Sequence, residues 1–435
     1  MTPQSIGGVS IVLLLVLILL RIPIGIALVI AGFIGNAVFL GFHSAIVQFQ
    51  LVTWEVATNF VLITLPLFVW MGQLAESTDM GKDLYSSFHK WFGRAPGGLA
   101  ITSIASSAGF GAITGSSVAT VSAMGNMLMP EMKRYRYDSG LATGSLASAG
   151  VLAILIPPSV PLVFYGAWTE TSLGDLFIAG IVPGIMLALL FILYVCLHCS
   201  IKPSLAPKGE HFTWSAKLHS LIHLLPILSV MLMVLLSLYF GIATPTEAAA
   251  VGVAGVFVVG LIRRRINLKV VLGSISQSAA LSTNIFVLFL GGMFFSRFMA
   301  QTDLTQSMIS SISALTLPPY LIMMMIVLMY LFLGAILDTF GMIILTLPFV
   351  FPLVLSLGFD PVWFGIFVVM MIELSLITPP IGINVFVMQS VVPDIPLSTI
   401  YQGSIPFVLL TLLMVALLIA FPEIALWLPA QMKSN

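Results

Sequence analysis

Two short stretches of this chain carry residue types suited to binding ions. The segment 111–117 reads Gly-Ala-Ile-Thr-Gly-Ser-Ser and is followed by Thr120 and Ser122. Hydroxyl and carbonyl oxygens suit a small hard cation, and glycine permits the tight turn that aims carbonyls inward. The same small residues also allow close helix packing, so each hydroxyl has a structural reading beside the functional one. The segment 334–341 reads Gly-Ala-Ile-Leu-Asp-Thr-Phe-Gly, and Asp338 is the acidic residue at its tip. An ionisable group in apolar surroundings is costly unless it meets a cation, a polar ligand or a donor-rich pocket. It could equally cap the following helix through the Thr339 or Phe340 N–H, and the two roles are compatible.

Two further stretches break the helices they sit in. Residues 154–162 read Ile-Leu-Ile-Pro-Pro-Ser-Val-Pro-Leu, and residues 376–384 read Leu-Ile-Thr-Pro-Pro-Ile-Gly-Ile-Asn. Each Pro-Pro pair lacks N–H donors and clashes with the preceding turn. Lipid cannot satisfy the carbonyls this frees, so such a break lines a polar, protein-enclosed cavity. Ile156 and Thr378 are candidate carbonyl ligands, and Ser159, Thr378 and Asn384 add side-chain oxygens. Half-helix N-termini at the same level favour an anionic group. Glu373 lies about a turn before the second break, as a protonatable coupling group or as a glutamate paired with a polar neighbour. Glu55 and Glu247 fall near expected helix starts, where negative charge is favourable.

The elements that must hold these residues are membrane helices. The 435 residues are 59% hydrophobic and 7% charged, far below the roughly 25% charge of soluble domains. This is an all-α polytopic membrane protein. Apolar segments of crossing length are expected at 4–20, 24–41, 50–75, 139–166, 174–199, 220–240, 246–262, 278–300, 362–390 and 400–427. The stretch from Ile266 to Ser282 reads as a separate interfacial or connecting helix, and 77–94 as an interfacial one. The stretches 97–134 and 319–357 have polar or glycine-containing turns at their centres, which predicts re-entrant hairpins with their tips inside the membrane.

The two halves repeat. The prolines of the two breaks are related by an offset of 379 − 157 = 222, and the same offset relates Asp360 to Asp138, Pro352 to Pro130 and Pro245 to Pro23. Residues 1–200 and 220–428 are read as two copies, joined by a linker at 201–219 and followed by a tail at 429–435. Five crossings per copy make the second an inverted repeat of the first. With Arg21 cytoplasmic, 14 of the 16 basic residues, Lys208 among them, face the cytoplasm, Arg297 and Lys433 do not, and both termini lie on the periplasmic side.

Other chemistries lack support. Cys196 and Cys199 have no second ligand pair for zinc, and the methionine run 323–325 reads as adaptable packing. No phosphate-binding loop is present, no enzyme signature or cofactor is expected, and zero net charge gives no reason to invoke nucleic acid.

The four stretches at 111–117, 154–162, 334–341 and 378–384, in this order and spacing, resemble the large membrane subunit of tripartite ATP-independent periplasmic (TRAP) transporters over essentially the whole chain. The resemblance implies sodium-driven uptake of an organic anion, such as a C4-dicarboxylate or sialic acid, across the bacterial inner membrane by an elevator motion of a transport domain against a scaffold. It further implies a small four-helix membrane subunit and a periplasmic substrate-binding protein as partners. By motif position, Gly115, Ser116, Ile156 and Pro157 would form one sodium site and Gly334, Thr339, Thr378 and Pro379 a second. Ser116, Ser117, Ser159 and Asp338 would face the substrate, with Asn384 beside them. The competing readings are a binding-protein-independent sodium/dicarboxylate carrier with a similar elevator, and a passive channel or scaffold subunit.

Overall fold

A computed structural model of the chain describes residues 2–207, 209, 211–315, 317–334 and 336–434. Lys208, counted above among the cytoplasmic residues, and Ala335 of the second tip lie outside them, as do the side chains of Ser313, Lys433 and Ser434.

The first half contains α1 (Pro3–Leu19), α2 (Ile24–Leu40), α3 (Phe42–Thr58), α4 (Thr64–Ser77), α5 (Met80–Phe92), α6 (Gly98–Thr114), α7 (Ser117–Arg134), α8 (Ser139–Ala149), α9 (Leu152–Leu155), α10 (Val160–Thr169) and α11 (Leu173–Ile201). The second contains α12 (Trp214–Tyr239), α13 (Pro245–Ile262), α14 (Leu268–Gln301), α15 (Leu304–Ala314), α16 (Pro319–Leu333), α17 (Thr339–Ser356), α18 (Pro361–Ser375), α19 (Ile383–Val391), α20 (Leu397–Ala420) and α21 (Glu423–Ser434). Among the described residues, seven helical spans are long and apolar enough to cross a membrane, or eight if the bent pair α8–α10 counts as one. α1 and α2, at 17 residues, are each about 25 Å long.

Both Pro-Pro pairs interrupt their helices. The first separates α9 from α10 with a 40° bend, and the second separates α18 from α19. Both Pro-Pro peptide bonds are cis.

Three expectations need correction. The crossing expected at 50–75 is broken between α3 and α4, because Asn59 accepts from the Val61 N–H at 2.9 Å and Pro66 fits only the first turn of a helix. Residues 266–282 are not a separate helix: α14 runs unbroken for 34 residues. Ser278 and Ser274 are satisfied within it or by α4, the Ser278 hydroxyl donating to the Ser274 carbonyl at 2.7 Å and the Trp70 indole to Ser274 Oγ at 3.1 Å. The crossing expected at 400–427 ends at Ala420, and α21 starts one residue after Pro422. In addition, α12 begins at Trp214, within the stretch read as linker, and α21 extends into the stretch read as tail.

Glu247 takes the expected place. It closes a capping box with Thr244, accepting from the Thr244 N–H at 2.7 Å while its own N–H donates to Thr244 Oγ1 at 3.3 Å. Glu55 does not, since it sits near the end of α3 and pairs with Arg297. That pair gives Arg297 a counter-charge.

Helices cross closely where glycine removes the side chain. A Cβ on Gly25 of α2 would lie 2.9 Å from the Val287 carbonyl of α14, and one on Gly144 of α8 would run into the Gly403 backbone of α20. α5 is amphipathic and is tied to the end of α13 by Asp83, which is bonded to Arg263 at 2.6 Å and Arg265 at 2.8 Å.

Candidate functional site

The two hairpin tips face one cavity. Gly115, in the left-handed region at φ 59°, ends α6, and Ser116 caps α7. The first tip lies against the first break: a Cβ on Gly115 would be 3.2 Å from the Pro158 carbonyl, and one on Gly111 would overlap Ala153 of α9. The second tip repeats the arrangement. A Cβ on Gly334 would overlap the Ser375 side chain, at the end of α18. Ala153 and Ser375 stand at the repeat offset, 375 − 153 = 222.

Between the tips lies a cavity of about 240 Å³. It is lined by Gly115, Ser116 and Ser117 from the first tip and by Asp338, Thr339 and Phe340 from the second. Ile154, Val160, Leu376 and Ile383 from the two broken helices, Val69 and Gln73 from α4, and Leu281 and Ile285 from α14 complete most of the wall. Four helices begin at this wall: Ser117, Val160, Thr339 and Ile383 are the first residues of α7, α10, α17 and α19. Each brings the positive end of its dipole and N–H groups with no partner inside the helix. Asp338 is the one charged residue of the lining, and no lysine, arginine or histidine is part of it.

Of the residues singled out from the sequence, Gly115, Ser116, Ser117, Asp338 and Thr339 line this cavity, whereas Ile156, Pro157, Ser159, Gly334, Thr378, Pro379 and Asn384 do not. Ser159 is buried and caps α10, accepting from the Leu162 N–H at 3.4 Å. Asp338 caps α17 by accepting from the Gly341 N–H at 3.2 Å, not from Thr339. Asn384 is fully buried, its Nδ2 donating to Ser117 Oγ at 2.7 Å and to the Ala147 carbonyl at 3.4 Å. Pro157 is buried, Thr378 is half-buried with its hydroxyl donating to the Leu374 carbonyl at 2.6 Å, and Pro379 is exposed.

Two carbonyl oxygens at the breaks lack backbone donors. Among the described residues, no backbone N–H donates to the carbonyls of Ile156 and Thr378, the residues just before each Pro-Pro pair. Two later carbonyls of the second break are satisfied from outside it, where the Tyr401 hydroxyl reaches those of Pro380 and Ile381 at 2.9 and 2.6 Å. Thr114 and Phe340 of the two tips also line the cavity, as does Gln73, which sequence reading did not select. Gln73 carried a signal, an amide inside an apolar helix.

Residues 11–424 match the family model described as the DctM component of the tripartite ATP-independent periplasmic transporter. The chain belongs to this family. It is 32% identical over 378 residues to the large permease protein of a C4-dicarboxylate TRAP transporter of Pseudomonas aeruginosa, covering 86% of this chain and 88% of that one. It is 30% identical over 344 residues to an isethionate TRAP transporter permease, DctMQ, of Oleidesulfovibrio alaskensis, covering 77% of this chain and 52% of that one. The fold is similar to that of the YdaH transporter of Alcanivorax borkumensis, with a TM-score of 0.63 and 14% identity, covering 88% of this chain and 89% of that one. Members of this family are transporter permeases rather than enzymes, and this chain is a multi-pass member.

Proposed function

We propose that this chain is the permease subunit that carries an organic anion into a bacterial cell across the inner membrane, driven by sodium, with the hairpins and broken helices moving as one body against a scaffold. The observation that carries the anion is the meeting of four helix N-termini at one cavity without a basic side chain. Free N–H groups and dipoles at helix starts bind carboxylate or phosphate oxygens. Sodium is supported by oxygen chemistry. The tip hydroxyls and the donor-poor carbonyls of Ile156 and Thr378 suit a hard cation. Bound sodium would also offset Asp338, which alone would repel an anion.

The inverted repeat rests on the recurrence of whole elements. α7 and α17 start at 117 and 339 and end at 134 and 356, and both differences are 222. Inverted repeats that enclose broken helices at mid-membrane are a common plan of secondary transporters, and motion of one body against another gives alternating access. The partners are a small membrane subunit and a periplasmic binding protein. Support for the first comes from the DctMQ relative, in which this chain spans about half the length.

The test uses the chain with a small membrane subunit and a binding protein of this family from the same genome, in proteoliposomes. Mass spectrometry of the purified binding protein identifies its ligand, and uptake of that ligand is measured with and without an inward sodium gradient. Accumulation is expected with the gradient and with the binding protein present. Equal flux without a gradient would overturn the carrier reading, and uptake indifferent to the binding protein would overturn the assignment of partners.

A further inference from the structure

Glu373 is fully buried in α18, and neither of its carboxylate oxygens has a hydrogen-bond partner within 3.5 Å among the described residues. The polar group that faces it is the Ser117 hydroxyl, and no lysine, arginine or histidine acts on it. Ser117 also receives the 2.7 Å hydrogen bond from Asn384, whose Oδ1 is likewise buried without a partner. Gly150 of α8 closes the other side, since a Cβ there would lie 2.9 Å from Ser117 Oγ and 3.0 Å from Asn384 Nδ2. Three side chains from α18, α7 and α19 are thus held together with three acceptor atoms lacking donors.

A buried carboxylate without a counter-charge is costly. A proton would neutralise it but would satisfy one oxygen of the three. A small cation supplies a charge and accepts several oxygens at once.

We propose that Glu373, Ser117 and Asn384 form a sodium site of their own, beside the cavity and separate from the two tip sites. Glu373 supplies the charge, Ser117 Oγ the bridge, and Asn384 Oδ1 a third oxygen after rotation of its amide. Because Ser117 also lines the cavity, the ion enters from there, and once bound it ties Glu373 of α18 to the contact that already joins α7 and α19. This inference rests on the sodium-coupled reading above and adds one ion to it.

The experiment is equilibrium dialysis of the purified full chain against radioactive sodium, counting ions bound per chain in wild type, Glu373→Gln and Ser117→Ala. Glutamine keeps the size of the side chain and removes its charge. The expected result is one ion fewer in Glu373→Gln at unchanged helix content, with Ser117→Ala needing more sodium to reach the wild-type count. A Glu373→Gln chain that binds as many ions as wild type means that the carboxyl carries a proton and overturns the site, while the tip sites stand. Wild type that binds no sodium overturns both. If Glu373→Gln fails to fold, Ser117→Ala decides: unchanged sodium affinity there also overturns the proposal.

Discussion

Ser116 and Asp338 cap their helices in the same register, at the repeat offset of 338 − 116 = 222. The Ala119 N–H donates to Ser116 Oγ at 3.3 Å, and the Gly341 N–H donates to Asp338 Oδ1 at 3.2 Å. Both line the cavity, so the two tips present the same capping bond to one site and differ there by one charge.

That difference separates capping from transport. Asparagine caps a helix as well as aspartate does, whereas alanine costs about 1 kcal/mol. Asp338→Asn is therefore expected to leave the unfolding midpoint nearly unchanged and to slow uptake on the order of tenfold, the scale of losing a hydrogen bond to a charged group. Wild-type uptake in a correctly assembled Asp338→Asn chain would count against a role for the carboxylate at the site.

Gly334→Ala places a methyl group where the Ser375 side chain lies. Forcing a carbon into a packed contact costs on the order of 1–3 kcal/mol. A lower thermal midpoint is expected, together with weaker stabilisation by sodium, because the second tip can no longer seat against α18. Thermal unfolding in sodium and in choline at equal ionic strength measures both.

Tyr401→Phe removes the donor for the carbonyls of Pro380 and Ile381. The expected loss is about 1 kcal/mol, typical of one hydrogen bond. It is no larger because the contact is exposed, so water can reach the two carbonyls. A midpoint equal to wild type would show that water replaces the hydroxyl fully.

The Lys133 ammonium hydrogen-bonds both Asp394 oxygens at 2.8 Å, linking α7 to the connection between α19 and α20, and holds the Asp394 carboxyl below its ordinary value. A depressed carboxyl stabilises the folded chain above its unfolded pKa, and the contribution is lost as pH falls through the folded value. The midpoint of wild type is therefore expected to fall more steeply than that of Asp394→Asn as pH drops below about 4, the ordinary aspartate range. The pair is exposed, so added salt reduces the difference.

Much of the architecture was legible because its causes are local. Proline lacks a donor wherever it stands, so 157–158 and 379–380 were readable as breaks. Ser116 and Asp338, each following a turn and preceding an apolar run, were readable as tip residues. The end of the 400–427 segment was not read, although Pro422 carried the same signal. The division of α14 was misread because hydropathy falls around Ser274 and Ser278, while nothing there interrupts the backbone.

By itself, the sequence determined the class of protein and the positions of the breaks and tips, since these follow from hydropathy and from proline and glycine geometry within a few residues. Only the tertiary structure decided which of these residues share a cavity. Ser117 and Asn384, 267 residues apart, touch because α7 packs against α19. The same packing buries Asn384 instead of presenting it to the cavity. No local rule encodes a contact whose partners lie in different halves of the chain.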